Sequence, residues 1–170
     1  MSRGAAAFAR DRRPTRTRLD LLHFVPFRLN RLAAEFSNAL LADYGERFGL
    51  DIAEWRVLAT LGPHEEPRSA SYIVRCTRTH KSRISRAVAH LCSLGLVARI
   101  PVEGDRREMN LALTPSGRDL YEALVPRMLA REAELLSGLD AGERAALAAL
   151  LGKLERGIGI VTAGSADECE

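Results

Sequence analysis

Residues Thr77 to Thr114 read T-R-T-H-K-S-R-I-S-R-A-V-A-H-L-C-S-L-G-L-V-A-R-I-P-V-E-G-D-R-R-E-M-N-L-A-L-T, and the periodicities inside this stretch decide the fold. Ile84, Ala87, Val88 and Leu91 recur at i, i+3, i+4 and i+7, the spacing that lines apolar groups along one stripe of an α-helix facing a core. At about 100° per residue, Ser82, Ser85, Arg86 and Ala89 fall on the opposite side, flanked by Lys81, Arg83 and His90. Small residues there let the helix axis approach base edges in a major groove. The planar fork of Arg86 matches guanine O6 and N7, and the flanking cations can reach phosphates. Thr79 is expected to cap the helix at its start and Gly95 to end it in the left-handed conformation, a span of about Lys81 to Leu94. Taken alone, the pattern also fits an amphipathic helix whose charged face is only solvated.

The residues after this helix favour the groove. Leu96 to Val102 and Glu108 to Leu113 carry β-compatible residues around Gly104, with Pro101 marking an edge strand. They predict a hairpin whose tip holds Asp105, Arg106 and Arg107. From Arg68 to Arg107 nine cations stand against two acids, a net of +7, whereas the whole chain carries +3. Beyond Thr114 six cations face ten acids, a net of −4. Positive charge is concentrated where the groove-reading geometry lies, the electrostatic footprint of nucleic-acid binding. Arg68, Lys81, Ser82, Arg83, Ser85, Arg86, His90, Asp105, Arg106 and Arg107 are therefore the candidate contacts to double-stranded DNA.

Elsewhere the chain alternates helices with stop signals. Val25, Leu29, Leu32, Phe36, Leu40 and Tyr44 follow helical spacing within Leu21 to Phe48, with Pro26 tolerable in the first turn. Asp51 and Glu54 have the spacing of a capping box before Trp55 to Leu61, and Gly62-Pro63 ends that helix. Ser69 can cap a short helix reaching Cys76, with Ile73, Val74 and Thr77 inward, which supplies the first helix of a helix-turn-helix. Thr114-Pro115 starts a helix to about Ser137, with Leu120, Leu124, Met128 and Leu135 on one side and Pro126 expected to kink it. Asp140 and Glu143 form a second capping box before Leu147, Leu150, Leu151 and Leu154. Residues 1–18 carry six arginines against Asp11 alone and read as a flexible basic arm, adding phosphate contacts or merely solvated. Residues 157–170 read as a loose tail.

Other function classes find little support. A hydrophobic content of 46% over 170 residues suits one domain or one protomer of an intimate oligomer. No apolar run approaches the 18 or so residues of a membrane span, and no signal-peptide core opens the chain, so a cytoplasmic protein is expected. Three cysteines without C-x-x-C pairing do not make a disulfide framework, and Cys76 and Cys92 read as small buried residues. His23, His64, His80 and His90 lack ligand spacing, and His64-Glu65-Glu66 reads as a solvated loop rather than a metal site. Nucleophile-elbow, phosphate-loop, zinc-protease and dinucleotide fingerprints are missing, so neither an enzyme nor a cofactor is expected.

K-S-R-I-S-R-A-V-A-H-L, then G-L-V-A-R, G-D-R-R and L-A-L-T-P-S-G, in this order and spacing, resembles the MarR family of bacterial winged helix-turn-helix regulators. The resemblance implies a mainly α fold with a small β-wing, a DNA-binding domain at 49–114, and a helical dimerisation region from 19–48 and 115–156. It also implies that Ser82, Ser85 and Arg86 lie on the groove-facing helix. Asp105 would orient Arg107 toward the minor groove; Arg106 fills the variable middle position, which leaves open which arginine enters. A homodimer would then present two recognition helices to the half-sites of a pseudo-palindromic operator. Ligand-responsive repression is the expected function. A DNA-architectural protein and a winged-helix protein-interaction module are the alternatives. Family members that bind small aromatic anions use the first long helix, which here places His23, Phe24, Phe27, Arg28 and Arg31 in about two turns. Rings beside a guanidinium suit an aromatic carboxylate effector; the alternative is that Phe24 and Phe27 are interface core and the arginines pair with acids of the partner helices. The peroxide-sensing branch places a reactive cysteine near the start of that helix, where this chain has none.

Overall fold

The computed structural model describes the backbone of residues 18–102 and 105–160, and their side chains apart from 105–108. The chain divides into two compact units, Met1–Ala34 and Glu35–Glu170, and the boundary falls inside the first helix. In chain order the elements are α1 (Val25–Phe48), α2 (Ile52–Leu61), β1 (Arg68–Ser69), α3 (Ala70–Thr77), α4 (Lys81–Ser93), β2 (Val97–Val102), β3 (Asp105–Leu113), α5 (Pro115–Leu135) and α6 (Ala141–Gly157). The fold is mainly α with a three-stranded antiparallel sheet in the order β1-β3-β2.

In the first unit, the approach to α1 is a turn held by Asp20, whose carboxylate accepts from Leu22 N at 3.1 Å and pairs with His23 Nδ1 at 2.7 Å. Pro26 sits in the first turn of α1, where its missing N–H has no helical partner to lose. Leu29 and Leu32 are exposed.

The second unit is organised by one core. Tyr44, Leu50, Val57, Leu58, Leu61, Ile73, Ile84, Ala87, Val88, Leu91, Val97, Leu111, Leu124 and Met128 pack together. All four residues of the stripe on α4 are in it, which is why the opposite face of that helix is left to solvent. The Asp51/Glu54 and Asp140/Glu143 capping boxes both form, satisfying the first free N–H groups of α2 and α6. Arg131 on α5 grips Asp43 on α1 through Nε at 2.7 Å and Nη2 at 3.0 Å. Those hydrogen bonds hold the Asp43 carboxyl below its ordinary range, against a smaller opposing effect of burial.

Thr114 is the joint between wing and α5. Its N–H donates to Leu96 O at 3.1 Å, its hydroxyl donates to Gly95 O at 2.6 Å, and the same hydroxyl caps α5 by accepting from Gly117 N at 3.0 Å. Gly117 has to be glycine because a Cβ there would lie 1.9 Å from Leu96 O. Gly95 adopts φ 70°, the expected left-handed termination after α4. Pro126 lies inside α5.

Thr79 does not cap α4; His80 does, with its Nδ1 accepting from Ser82 N at 3.3 Å. Thr79 is instead buried, where its hydroxyl accepts from Arg56 Nη1 at 3.0 Å. The turn that makes this geometry is Arg78, the one described non-glycine residue with positive φ, at 50°. No described helix is long and apolar enough to cross a membrane.

Candidate nucleic-acid interface

The helix-turn-helix is α3, the Arg78–His80 turn and α4. Ser69 caps α3 by accepting from Tyr72 N at 3.1 Å, and Ile73 at the centre of α3 is fully buried. Packing of α2 and α3 on the buried stripe of α4 turns Lys81, Ser82, Arg83, Ser85, Arg86, Ala89 and His90 outward, and all seven are exposed. The Arg86 Nε donates to Ser82 O at 3.4 Å, laying the start of its guanidinium back along the helix. α4 itself contributes no acid to this face, which favours an anion there.

The wing follows from the register of β2 and β3, in which Val97 pairs Leu113, Arg99 pairs Leu111 and Pro101 pairs Met109. The ladder slips between Pro101 and Val102, where the proline interrupts donation on the edge strand. Asp105 and the arginines Arg106 and Arg107 lie at the start of β3, but their side chains are outside the described residues. Arg68, in β1, is half-buried: its guanidinium lies over the Tyr72 ring at 5.4 Å and bonds His64 Nδ1 at 3.2 Å. His64 is accordingly not a solvated loop residue. Its Nε2 meets the Tyr72 hydroxyl at 3.0 Å and its carbonyl accepts from Arg118 Nη2 at 3.1 Å. Among the described residues no cluster of His, Cys, Asp or Glu could hold a metal ion.

Two cavities flank α4. One of about 470 Å³ lies between α4 and α2 and is lined by Asp51, Glu54, Arg56, Arg83, Arg86 and His90 among others. The other, of about 350 Å³, lies between α3, α4 and the wing, with an apolar floor of Val74, Ile84, Val88, Met109 and Leu111 beneath Arg75, Lys81 and Arg99. The partner of His90 is not legible in the sequence: its Nδ1 bonds Oε1 of Glu54, a residue that the capping box identifies only as a helix start. Thirty-six residues separate the two, and no local pattern spans that distance. His23, Phe24, Phe27, Arg28 and Arg31 all belong to the first unit. There the Arg31 guanidinium lies 5.7 Å from the Phe27 ring centre and Phe27 is half-buried.

Comparison with known proteins agrees with this geometry. Residues 48–108, which run from the end of α1 into the second strand of the wing, match the model of the MarR family. The HTH-type transcriptional regulator PecS of Dickeya dadantii is 33% identical over 112 residues, covering 65% of this chain and 68% of that protein. The HTH-type transcriptional repressor NicR of Pseudomonas putida is 37% identical over 90 residues, 52% of this chain and 56% of NicR. A MarR-family transcriptional regulator from Silicibacter pomeroyi superposes with a TM-score of 0.68 at 30% identity, covering 81% of this chain and 92% of that structure. The chain belongs to the MarR family of DNA-binding transcriptional regulators, a family of regulators and not of enzymes.

Proposed function

We propose that this protein is a homodimeric repressor that binds a pseudo-palindromic operator and responds to a small molecule. The observation that carries the reading is the outward face of α4, where Ser82, Arg83, Ser85 and Arg86 are exposed opposite the buried stripe. Arg86 reads a base edge, Arg83 and Lys81 take phosphates, and the wing arginines Arg106 and Arg107 reach the minor groove, with Asp105 orienting Arg107. Arg68 and His90 complete the contacts. The DNA-binding domain is 49–114, and the dimerisation region comprises 19–48 and 115–156. Of the basic arm at 1–18 and the tail at 157–170, residues 1–17 and 161–170 lie outside the described residues. Exposed apolar residues support the dimer: Leu129 on α5 and Leu150, Leu151 and Leu154 on α6 in the second unit, and Leu29 and Leu32 in the first. NicR is by name a repressor, which favours that sign of regulation here.

For the effector, His23, Phe24, Phe27, Arg28 and Arg31 suit an aromatic carboxylate, held bidentately by a guanidinium against a ring. Such a compound should weaken operator binding by about 1 to 3 kcal/mol. Arg28→Ala should abolish that response while leaving dimerisation and DNA affinity intact; a normal response excludes Arg28 as the anchor.

Selection of duplexes from a randomised pool by the full-length protein tests the function itself. An operator-binding dimer enriches two inverted half-sites about one helical turn apart. Salt-sensitive binding without an enriched motif would indicate a DNA-architectural protein, and absence of duplex binding would indicate a protein-interaction module.

A further inference from the structure

Two imidazoles, the His80 cap and His90 in the last turn, stand at opposite ends of α4 with opposite hydrogen-bond polarity. The Nδ1 of His80 accepts from the Ser82 N–H, so in its neutral form the hydrogen is on Nε2. His90 is the reverse. Its Nδ1 faces Oε1 of Glu54, and the other oxygen of that carboxylate accepts from Asp51 N at 2.7 Å. An ionised carboxylate has no hydrogen to give, so Nδ1 of His90 carries the hydrogen in both charge states. All the change on titration therefore falls on Nε2, which is a lone pair in the neutral ring and an N–H in the charged one.

The place of His90 makes that change consequential. It lies seven residues after Arg83 and so on the same side of α4, two turns on. The His90 side chain is 49% exposed whereas that of Glu54 is 7% exposed, and Nε2 makes no hydrogen bond to the described residues. Around the ring, α2 and its cap bring Asp51, Glu54 and Arg56, α4 brings Arg83 and Arg86, and the C-terminal half of α1 brings only the apolar Leu41. On the opposite flank α3 and β2 bring Arg75 and Arg99, which line the separate cavity beside Lys81.

We propose that Glu54 is a positioning residue that makes His90 a proton-linked DNA contact: seating α4 on a duplex takes up one proton per protomer, so that Nε2–H can donate to a phosphate oxygen. This rests on the reading that α4 faces DNA. A neutral ring would point a lone pair at the phosphate, and the bound state therefore holds the proton more tightly than the free one. That difference sets the sign. Affinity is greatest at the acid end of the imidazole range and is lost as pH rises through it.

The test measures affinity of the full-length protein for the duplex it selects from a randomised pool, at constant ionic strength, from roughly pH 5.5 to 8.5. For wild type, affinity should fall with rising pH by up to about tenfold per unit for each protomer engaged. Titration calorimetry in buffers of different ionisation enthalpy should show the matching proton uptake. His90→Gln, a change at an exposed position, should flatten the profile and abolish the uptake. Glu54→Gln should reduce the slope, since an amide can donate to Nδ1 and free the tautomer. If Glu54→Gln does not fold, imidazole nitrogen shifts of wild type replace it, and they must show Nδ1–H in neutral His90. His80→Asn should keep the fall in affinity with pH. A wild-type slope retained by His90→Gln, or a neutral His90 with hydrogen on Nε2, overturns the proposal alone. Absence of duplex binding at every pH overturns it together with the DNA-binding reading.

Discussion

Tyr44 stacks on Trp55 with ring centres 5.7 Å apart and is 1% exposed. Burial pushes its phenol up to about 12, chiefly because the charged form would lose its hydration. The folded state thus holds this proton more tightly than the unfolded chain, whose phenol has its ordinary value of 10.0. The associated stability is present below that value and is lost as pH rises from 10.0 toward about 12. Ultraviolet titration should show one of the three tyrosines, Tyr44, ionising with alkaline unfolding; its ionisation near 10 in the folded protein would contradict this packing. At this scale the sequence is legible where a residue's role is set by helical period. Spacing alone places Ile84, Ala87, Val88 and Leu91 in the core, and all are there. It is not legible where the role depends on a distant partner. Thr79 has the chemistry of a cap, yet Arg56 from α2 claims its hydroxyl and leaves the cap to His80.

Among the elements, α2 and α6 are recognisable from Asp51/Glu54 and Asp140/Glu143 because capping boxes are local, and both form. Strand β1 has no such signal. It has two residues, too few for any periodicity, and exists because Arg68 and Ser69 pair with Leu111 and Asn110 of β3. The junction of the wing with α5 yields a stability prediction. Gly117→Ala forces a methyl against the Leu96 carbonyl, which Thr114 N–H also needs, so the backbone has to move. Overpacking of this kind costs about 3 kcal/mol. Thermal unfolding should show a marked loss for Gly117→Ala and almost none for Gly138→Ala, where nothing lies within 4 Å of the added carbon. Equal unfolding temperatures would mean that the α5 start and the wing are not in this contact.

At the scale of the whole molecule, apolar side chains are left uncovered on α6, where no residue is buried and Leu150 and Leu154 are 60% and 50% exposed. Removing residues 138–170 should therefore cost dimerisation and operator binding together, or produce aggregation, as read by light scattering and duplex titration. A soluble monomer with unchanged operator affinity would show that the interface lies elsewhere. If α4 reads sequence, competition between the selected duplex and a random one reveals it. Wild type should prefer the selected duplex by about 10³ or more at physiological salt. Arg83→Ala should weaken both duplexes and lower the salt slope by about one, as expected of a lost phosphate contact. Arg86→Ala should cost about 1 to 3 kcal/mol on the selected duplex alone and relax one position per half-site, whereas an equal loss on both duplexes would contradict base reading by this helix.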